Sequence, residues 1–260
     1  MGESLFWKEC FFMYSMSLAL LSIMIKYSKY VRENSKMKLI LFDIDGTLID
    51  SGGAGTRSLN YAFEEVFSIH DAFKGISMAG KTDIQILKEG LGTHGLDTEN
   101  GNIGLLCERY IAYLRTEIGN SMKHLKPGIT EALGLLAGRE GIFLGLLTGN
   151  IEAGARIKLD PFRLNGYFPL GAFGSDHEDR NKLLPIAIER FSQLNQRKIH
   201  YSDCVVIGDT PRDVECAKIY GAYSVAVATG PYSYASLLES GADMVLSTMS
   251  EMDYGVIVES

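Results

Sequence analysis

The sequence predicts an α/β fold, a doubly wound parallel sheet carrying an inserted block of helices, and three observations predict it. Apolar runs of four to six residues recur from Lys38 onward and alternate with helix-patterned segments. The runs are apolar throughout rather than alternating, as strands covered on both faces require. Three of them end in polar residues able to do chemistry, Asp43, Thr148 and Asp209. In such sheets ligands gather beyond the carboxyl ends of the strands, so these residues are expected to converge in space.

In chain order, the first strand is read at Lys38 to Phe42. Helical spacing follows in Leu59, Phe63, Val66 and Phe67 (Arg57 to Ile69), then again in Ile103, Leu106, Tyr110 and Leu114. Between them, Thr82 and Gln85 form a capping-box pair that opens a short helix over Ile84, Ile86 and Leu87. Residues 56–126 are therefore expected to be a helical insertion, with 37–55 and 127–260 forming the core. Pro127-Gly128 breaks the helical pattern before a helix from Ile129 to Gly138 and a strand from Ile142 to Leu147. The remainder alternates: strand Leu170 to Phe173, helix Lys182 to Leu194, strand Cys204 to Ile207, helix Pro211 to Tyr220, strand Tyr223 to Val227, helix Tyr234 to Glu239, strand Met244 to Leu246.

With 260 residues, 46% hydrophobic and 22% charged, the chain can bury a sizeable core and is neither disordered nor collagen-like. A net charge of −7 and the lack of a basic stripe argue against a nucleic-acid partner but not against a small anionic substrate. The four cysteines lie far apart with no Cys-x-x-Cys pair, so they suggest neither a zinc knuckle nor a disulfide framework and suit a reducing, cytoplasmic setting. The first 36 residues stand apart: Cys10 to Ile25 is an uncharged, mostly apolar run followed by Lys26, Lys29, Arg32 and Lys36. Its 16 residues fall short of the roughly 20 that a membrane helix needs. The expectation is an upstream extension with Met37 as the functional start; a membrane anchor through residues 10–25, with the core on the cytoplasmic side, is the alternative.

The chemistry concentrates at the strand ends. Asp43 and Asp45 are two carboxylates two residues apart beside an apolar strand, where they lose hydration and repel unless a cation or a proton relieves them. Thr148-Gly149-Asn150 offers a hydroxyl and backbone amides to an anion. Gly208-Asp209 adds a carboxylate, Asp213 another, and Lys182 or Arg180 a positive charge. Together these are the equipment for phosphoryl transfer.

In this order the segments resemble the four signature motifs of the haloacid dehalogenase-like hydrolase superfamily. Asp43-Ile44-Asp45-Gly46-Thr47 resembles the first, Thr148 the second, Lys182 with Pro185 the third, and Gly208-Asp209-Thr210-Pro211-Arg212-Asp213 the fourth. The helical block resembles the inserted cap of the subfamily that holds phosphoglycolate phosphatases, β-phosphoglucomutases and haloacid dehalogenases. Gly80-Lys81-Thr82-Asp83 is similar to the loop by which such caps reach the substrate.

The resemblance implies a magnesium-dependent phosphatase acting on a small phosphorylated metabolite such as phosphoglycolate or a sugar phosphate. A phosphomutase is the main alternative, and a dehalogenase or a non-catalytic phosphate-binding module are lesser ones. It implies Asp43 as nucleophile, forming an aspartyl-phosphate, and Asp45 as general acid/base. Asp43, the backbone carbonyl of Asp45 and Asp209 would hold Mg2+, with Asp213 behind them or orienting the cation. Thr148, Gly149 and Asn150 would hold phosphate oxygens. Spacing selects Lys182 for the third motif, with Arg180 as its rival, because Lys182-Leu183-Leu184-Pro185 keeps only the ends of the usual Lys-Pro-x-Pro. Lys81 is either a substrate contact or a solvated loop charge.

Overall fold

The structure, a computed structural model, describes residues 37–98 and 101–255. The apolar segment within residues 1–36, and the expectations placed on it, lie outside the described residues. Among the described residues, no helix is long and apolar enough to cross a membrane.

Strand β1 (Lys38–Phe42) is buried along its whole length and lies at the centre of a six-stranded parallel sheet. Its neighbours are β4 (Ile142–Thr148) and β6 (Cys204–Gly208), with Phe42 opposite Leu146 on one side and Ile207 on the other. Outside β4 lies β5 (Leu170–Phe173); outside β6 lie β7 (Tyr223–Val227) and β8 (Met244–Leu246). The chain thus winds outward from β1 in both directions, so a crevice opens at its carboxyl end. Ile40, Phe42, Leu146, Val205 and Ile207 are buried on one face of the sheet and Leu39, Leu41, Leu147 and Val206 on the other, which explains the uninterrupted apolar runs.

Two short strands absent from the sequence reading, β2 (Ile49–Asp50) and β3 (His124–Leu125), pair antiparallel and form the way into and out of the helical insertion. The chain reaches β2 through a tight turn in which the Ile44 carbonyl accepts from Leu48 at 2.9 Å and Ile49 at 3.0 Å. Between β2 and β3 lie α1 (Ala54–Phe67), α2 (Asp83–Thr93) and α3 (Asn102–Glu117). Helix α1 begins three residues before the expected Arg57, directly after Gly53, whose φ of 75° ends the preceding turn. Helix α2 carries the expected capping box, with both Thr82 and Gln85 bonds formed. The three helices close over their own apolar cluster, including Leu59, Phe63, Leu87, Leu106 and Leu114, with Phe63 edge-on to Phe73 at 4.8 Å.

The core helices are α4 (Ile129–Leu136), α5 (Glu152–Leu159), α6 (Leu183–Asn195), α7 (Pro211–Lys218) and α8 (Tyr234–Glu239). Helix α5 is a departure from the sequence reading, which assigned nothing between β4 and β5. Its signal is brief: Ile151, Ala155 and Leu159, spaced four apart, are buried, and Pro161 prevents a longer run.

Candidate active site

The ends of β1, β4 and β6 converge on a cavity of about 430 Å³, lined by Asp43, Asp45, Gly149, Asn150, Arg180 and Asp209 on the core side. Leu59, Met78, Lys81, Ile86 and Tyr110 line it from the insertion. Loop 80–83 presses directly on the core: a Cβ at Gly149 would collide with the Lys81 carbonyl oxygen, and Asp83 donates its backbone N–H to the Gly149 carbonyl at 2.7 Å. The Asp83 carboxylate in turn accepts from the Ile151 N–H at 2.9 Å, and the Thr82 hydroxyl donates to the Glu178 carbonyl at 2.8 Å.

Asp43 is 5% exposed at the end of β1, with the Arg180 guanidinium 3.1 Å from its Oδ1 and the Thr148 hydroxyl beside it. Burial pushes its carboxyl up to about 6, a rise that Arg180 and Thr148 reduce and that Asp213 and Asp45 reinforce. Asp209, at the end of β6, is raised well above the ordinary carboxylate range by burial and by Asp43 and Asp213. Thr47 donates to its Oδ1 at 3.2 Å. Gly46 and Gly230 flank the same carboxylate so closely that a side chain at either position would strike it.

Asp43, Asp209 and Asp213 bring carboxylate oxygens within 4.8 Å of one another. Both oxygens of Asp213 are already engaged: Oδ1 with Arg180, and Oδ2 with the Thr210 N–H at 3.0 Å and hydroxyl at 2.7 Å. That leaves Asp43 and Asp209 as two buried carboxylates whose mutual repulsion a hard divalent cation would relieve, and an all-oxygen donor set suits magnesium.

The positive charge beside Asp43 is Arg180. It is 3% exposed, and besides its two carboxylates it donates to the Leu147 carbonyl at 3.3 Å and the Gly80 carbonyl at 3.4 Å. Lys182, which the motif spacing selected, is exposed and is not among the residues lining the cavity. The reason is local: Arg180–Lys182 is a 3-10 turn capped by Asp179, with three residues per turn, so side chains two apart point to different sides. Lys81 does line the cavity, but it is ion-paired with Glu89 on α2.

A residue that the sequence reading did not single out completes the site. Lys158, on α5, is 4% exposed and donates to Asp45 Oδ2 at 2.6 Å and to Asn150 Oδ1 at 2.5 Å. Asn150 spends its own amide on Asp45 Oδ2 and on the Thr148 hydroxyl, both at 2.9 Å. Burial opposes the Lys158 charge, yet Asp45, Tyr110 and Asp83 more than offset it, so the ammonium holds its proton more tightly than an ordinary lysine. Its only sequence signal was a lysine on the buried stripe of a helix that was itself overlooked.

The chain is also similar to known proteins. The sequence profile of the haloacid dehalogenase-like hydrolases matches residues 40–227. The chain is 27% identical over 223 residues to the "Probable phosphatase IndB" of Dickeya dadantii, covering 82% of this chain and 91% of that protein. It is 24% identical over 216 residues to the phosphoglycolate phosphatase of Agrobacterium fabrum, covering 82% and 90%. Among solved structures, CbbY from Rhodobacter sphaeroides in complex with phosphate superposes with a TM-score of 0.68 at 17% identity, covering 86% of this chain and 100% of that one. A predicted phosphatase from Clostridium acetobutylicum does so with 0.64 at 23%, covering 87% and 100%. With the profile spanning the strands and turns that build this cavity, the chain belongs to the haloacid dehalogenase-like hydrolase family.

Proposed function

We propose that the chain is a magnesium-dependent phosphatase that hydrolyses a small phosphate monoester through an aspartyl-phosphate. The observation that carries the reading is the pair of buried, mutually repelling carboxylates, Asp43 and Asp209, facing a cavity that also holds Asp45. The phosphatase names of the relatives support the same class, and about 430 Å³ suits a small metabolite rather than a polymer. Free thiols at Cys107, Cys204 and Cys216 fit a reducing compartment such as the cytoplasm.

Asp43 and Asp209, with the backbone carbonyl of Asp45, would hold the metal. Bound there, magnesium would neutralise charge shared by the nucleophile and the phosphoryl oxygens. Asp43 attacks phosphorus, forming a P–O bond while the bond to the leaving oxygen breaks, and Asp45 gives its proton to that oxygen so that the alcohol departs. Asp45, now a carboxylate, takes a proton from water as the water attacks the aspartyl-phosphate; inorganic phosphate leaves and the Asp43 carboxylate is restored. The Gly149 amide, whose residue lines the cavity, would hold a nonbridging oxygen, with the Thr148 hydroxyl, buried behind the lining, beside Asp43.

The first test is phosphate release from a panel of small esters, phosphoglycolate and sugar phosphates among them, in magnesium and in EDTA. Release from at least one ester that EDTA abolishes is the expected result; no release from any ester in magnesium would overturn the reading.

A second expectation concerns stability. The Asp43 and Asp83 carboxyls each rise from 3.8 to about 6 on folding, so between these values the folded state binds more protons than the unfolded one. Stability of the metal-free protein therefore falls as pH rises through that window, by up to roughly 3 kcal/mol per group. Magnesium acts against the part due to Asp43, so it should raise the melting temperature more at pH 7.5 than at pH 5. Differential scanning calorimetry checks this, and an equal rise at both pH values would contradict it.

A further inference from the structure

We propose that Lys158, backed by Tyr110 of the insertion, is a positioning residue that presents Asp45 for proton transfer to the leaving oxygen. The inference rests on the phosphatase reading above and assigns a part to residues outside the four motifs.

Asp45 lies past the end of β1, at an isolated bridge to Ile49 just before the turn, and its side chain is 39% exposed, so its carboxyl is not held by packing alone. Two donors fix it from one side. The Lys158 ammonium and the Asn150 amide both converge on Oδ2, at 2.6 and 2.9 Å. Among the described residues Oδ1 takes no donor, which leaves it as the oxygen free to exchange a proton in the cavity. Lys158 also clamps the Asn150 carbonyl oxygen, so the two donors form one unit, and Asn150 links that unit to Thr148 beside Asp43.

Lys158 is itself held by the insertion. Tyr110, 1% exposed on α3, places its hydroxyl beside the ammonium, and its ring lies against Gly154 of α5. The first turn of α1 closes over the same spot: a Cβ built on Gly55 would lie 3.3 Å from Lys158 Nζ. A buried ammonium is costly unless its donors are used, and here they are used on the acid/base carboxylate and on the Asn150 carbonyl oxygen, with the Tyr110 hydroxyl of the insertion beside them. Lys158 is therefore the joint through which the seating of α1 and α3 reaches Asp45.

The role has a signature that mere structural support lacks. An alkyl leaving group needs the Asp45 proton as the P–O bond breaks, whereas 4-nitrophenolate leaves without it. In Lys158→Met the first turnover of an alkyl phosphate should fall by ~10²-fold, the scale of lost general acid catalysis. The burst of nitrophenolate from 4-nitrophenyl phosphate should stay within ~3-fold, and phosphoenzyme should accumulate because water activation also needs Asp45. Lys158→Arg should recover part of the alkyl rate, and Tyr110→Phe should lower it by roughly 3- to 10-fold with the burst unchanged. Equal losses on both esters, or no loss on the alkyl ester, would overturn the proposal. Should Lys158→Met fail to fold, the same ester comparison in Tyr110→Phe decides it, equal effects on both esters again overturning it. A wild-type protein that releases phosphate from neither ester in magnesium would instead sink the phosphatase reading.

Discussion

Asp43→Asn is expected to lose phosphate release by on the order of 10⁴-fold or more while the folded protein becomes no less stable in EDTA at pH 7.5. The loss follows because an amide neither attacks phosphorus nor offers a metal an anionic oxygen. The retained stability follows from charge. Asp43 is buried beside Asp209 and Asp213, and burial pushes its carboxyl up to about 6, so at pH 7.5 its ionised form is held against its preference. Asparagine has nearly the same shape, keeps an oxygen for the Arg180 N–H, and removes that strain, up to roughly 3 kcal/mol. Arg180 keeps Asp213 as its partner, so the guanidinium is not stranded. Phosphate-release assays and urea unfolding in EDTA check the two halves. A variant active to within tenfold would remove Asp43 from the nucleophile's role, and one that unfolds would mean that the cluster is held by Asp43 rather than strained by it.

What the sequence allowed to be read, and what it hid, divides along physical lines. Strand β1 was legible because both its faces are covered, so all five of its residues are buried and the polar Asp43 marks the end without ambiguity. The capping box at Thr82 was legible because the rule is local, linking two residues three positions apart. Strands β2 and β3 were not, since two residues carry no period and only the partner strand, more than seventy positions away, makes them strands. Lys158 was hidden twice: α5 is too short to show more than two turns of its stripe, and the carboxylate that explains the buried lysine lies 113 positions earlier. The choice between Arg180 and Lys182 turned on helical phase. Motif spacing counts residues, but in a 3-10 or an α turn alike side chains two apart face different sides, and spacing does not say which of the two is turned toward the strand ends.

That phase also makes Arg180 the larger structural liability. Arg180→Met should destabilise the metal-free protein by about 3–5 kcal/mol at pH 7.5, because it leaves Asp43 and Asp213 buried with no cation between them and Asp209 close by. The loss should shrink toward pH 5. Without the guanidinium the carboxyls bind protons still more readily in the folded state than unfolded, so stability returns as pH falls through and below the raised range. Arg180→Lys should recover only part of the loss: an ammonium has the charge, but it lacks the planar fork that reaches two carboxylates and the Leu147 and Gly80 carbonyls together. The Gly80 contact carries the effect into the insertion, since loop 80–83 rests on the core at this point. Lys182→Met, changing an exposed side chain two residues away, should shift stability by no more than about 0.5 kcal/mol. Urea unfolding of the three variants at pH 7.5 and pH 5 tests this directly. Equal damage from Arg180→Met and Lys182→Met would return the site's positive charge to Lys182, and a loss independent of pH would mean that Arg180 acts through packing rather than through the carboxylates it joins.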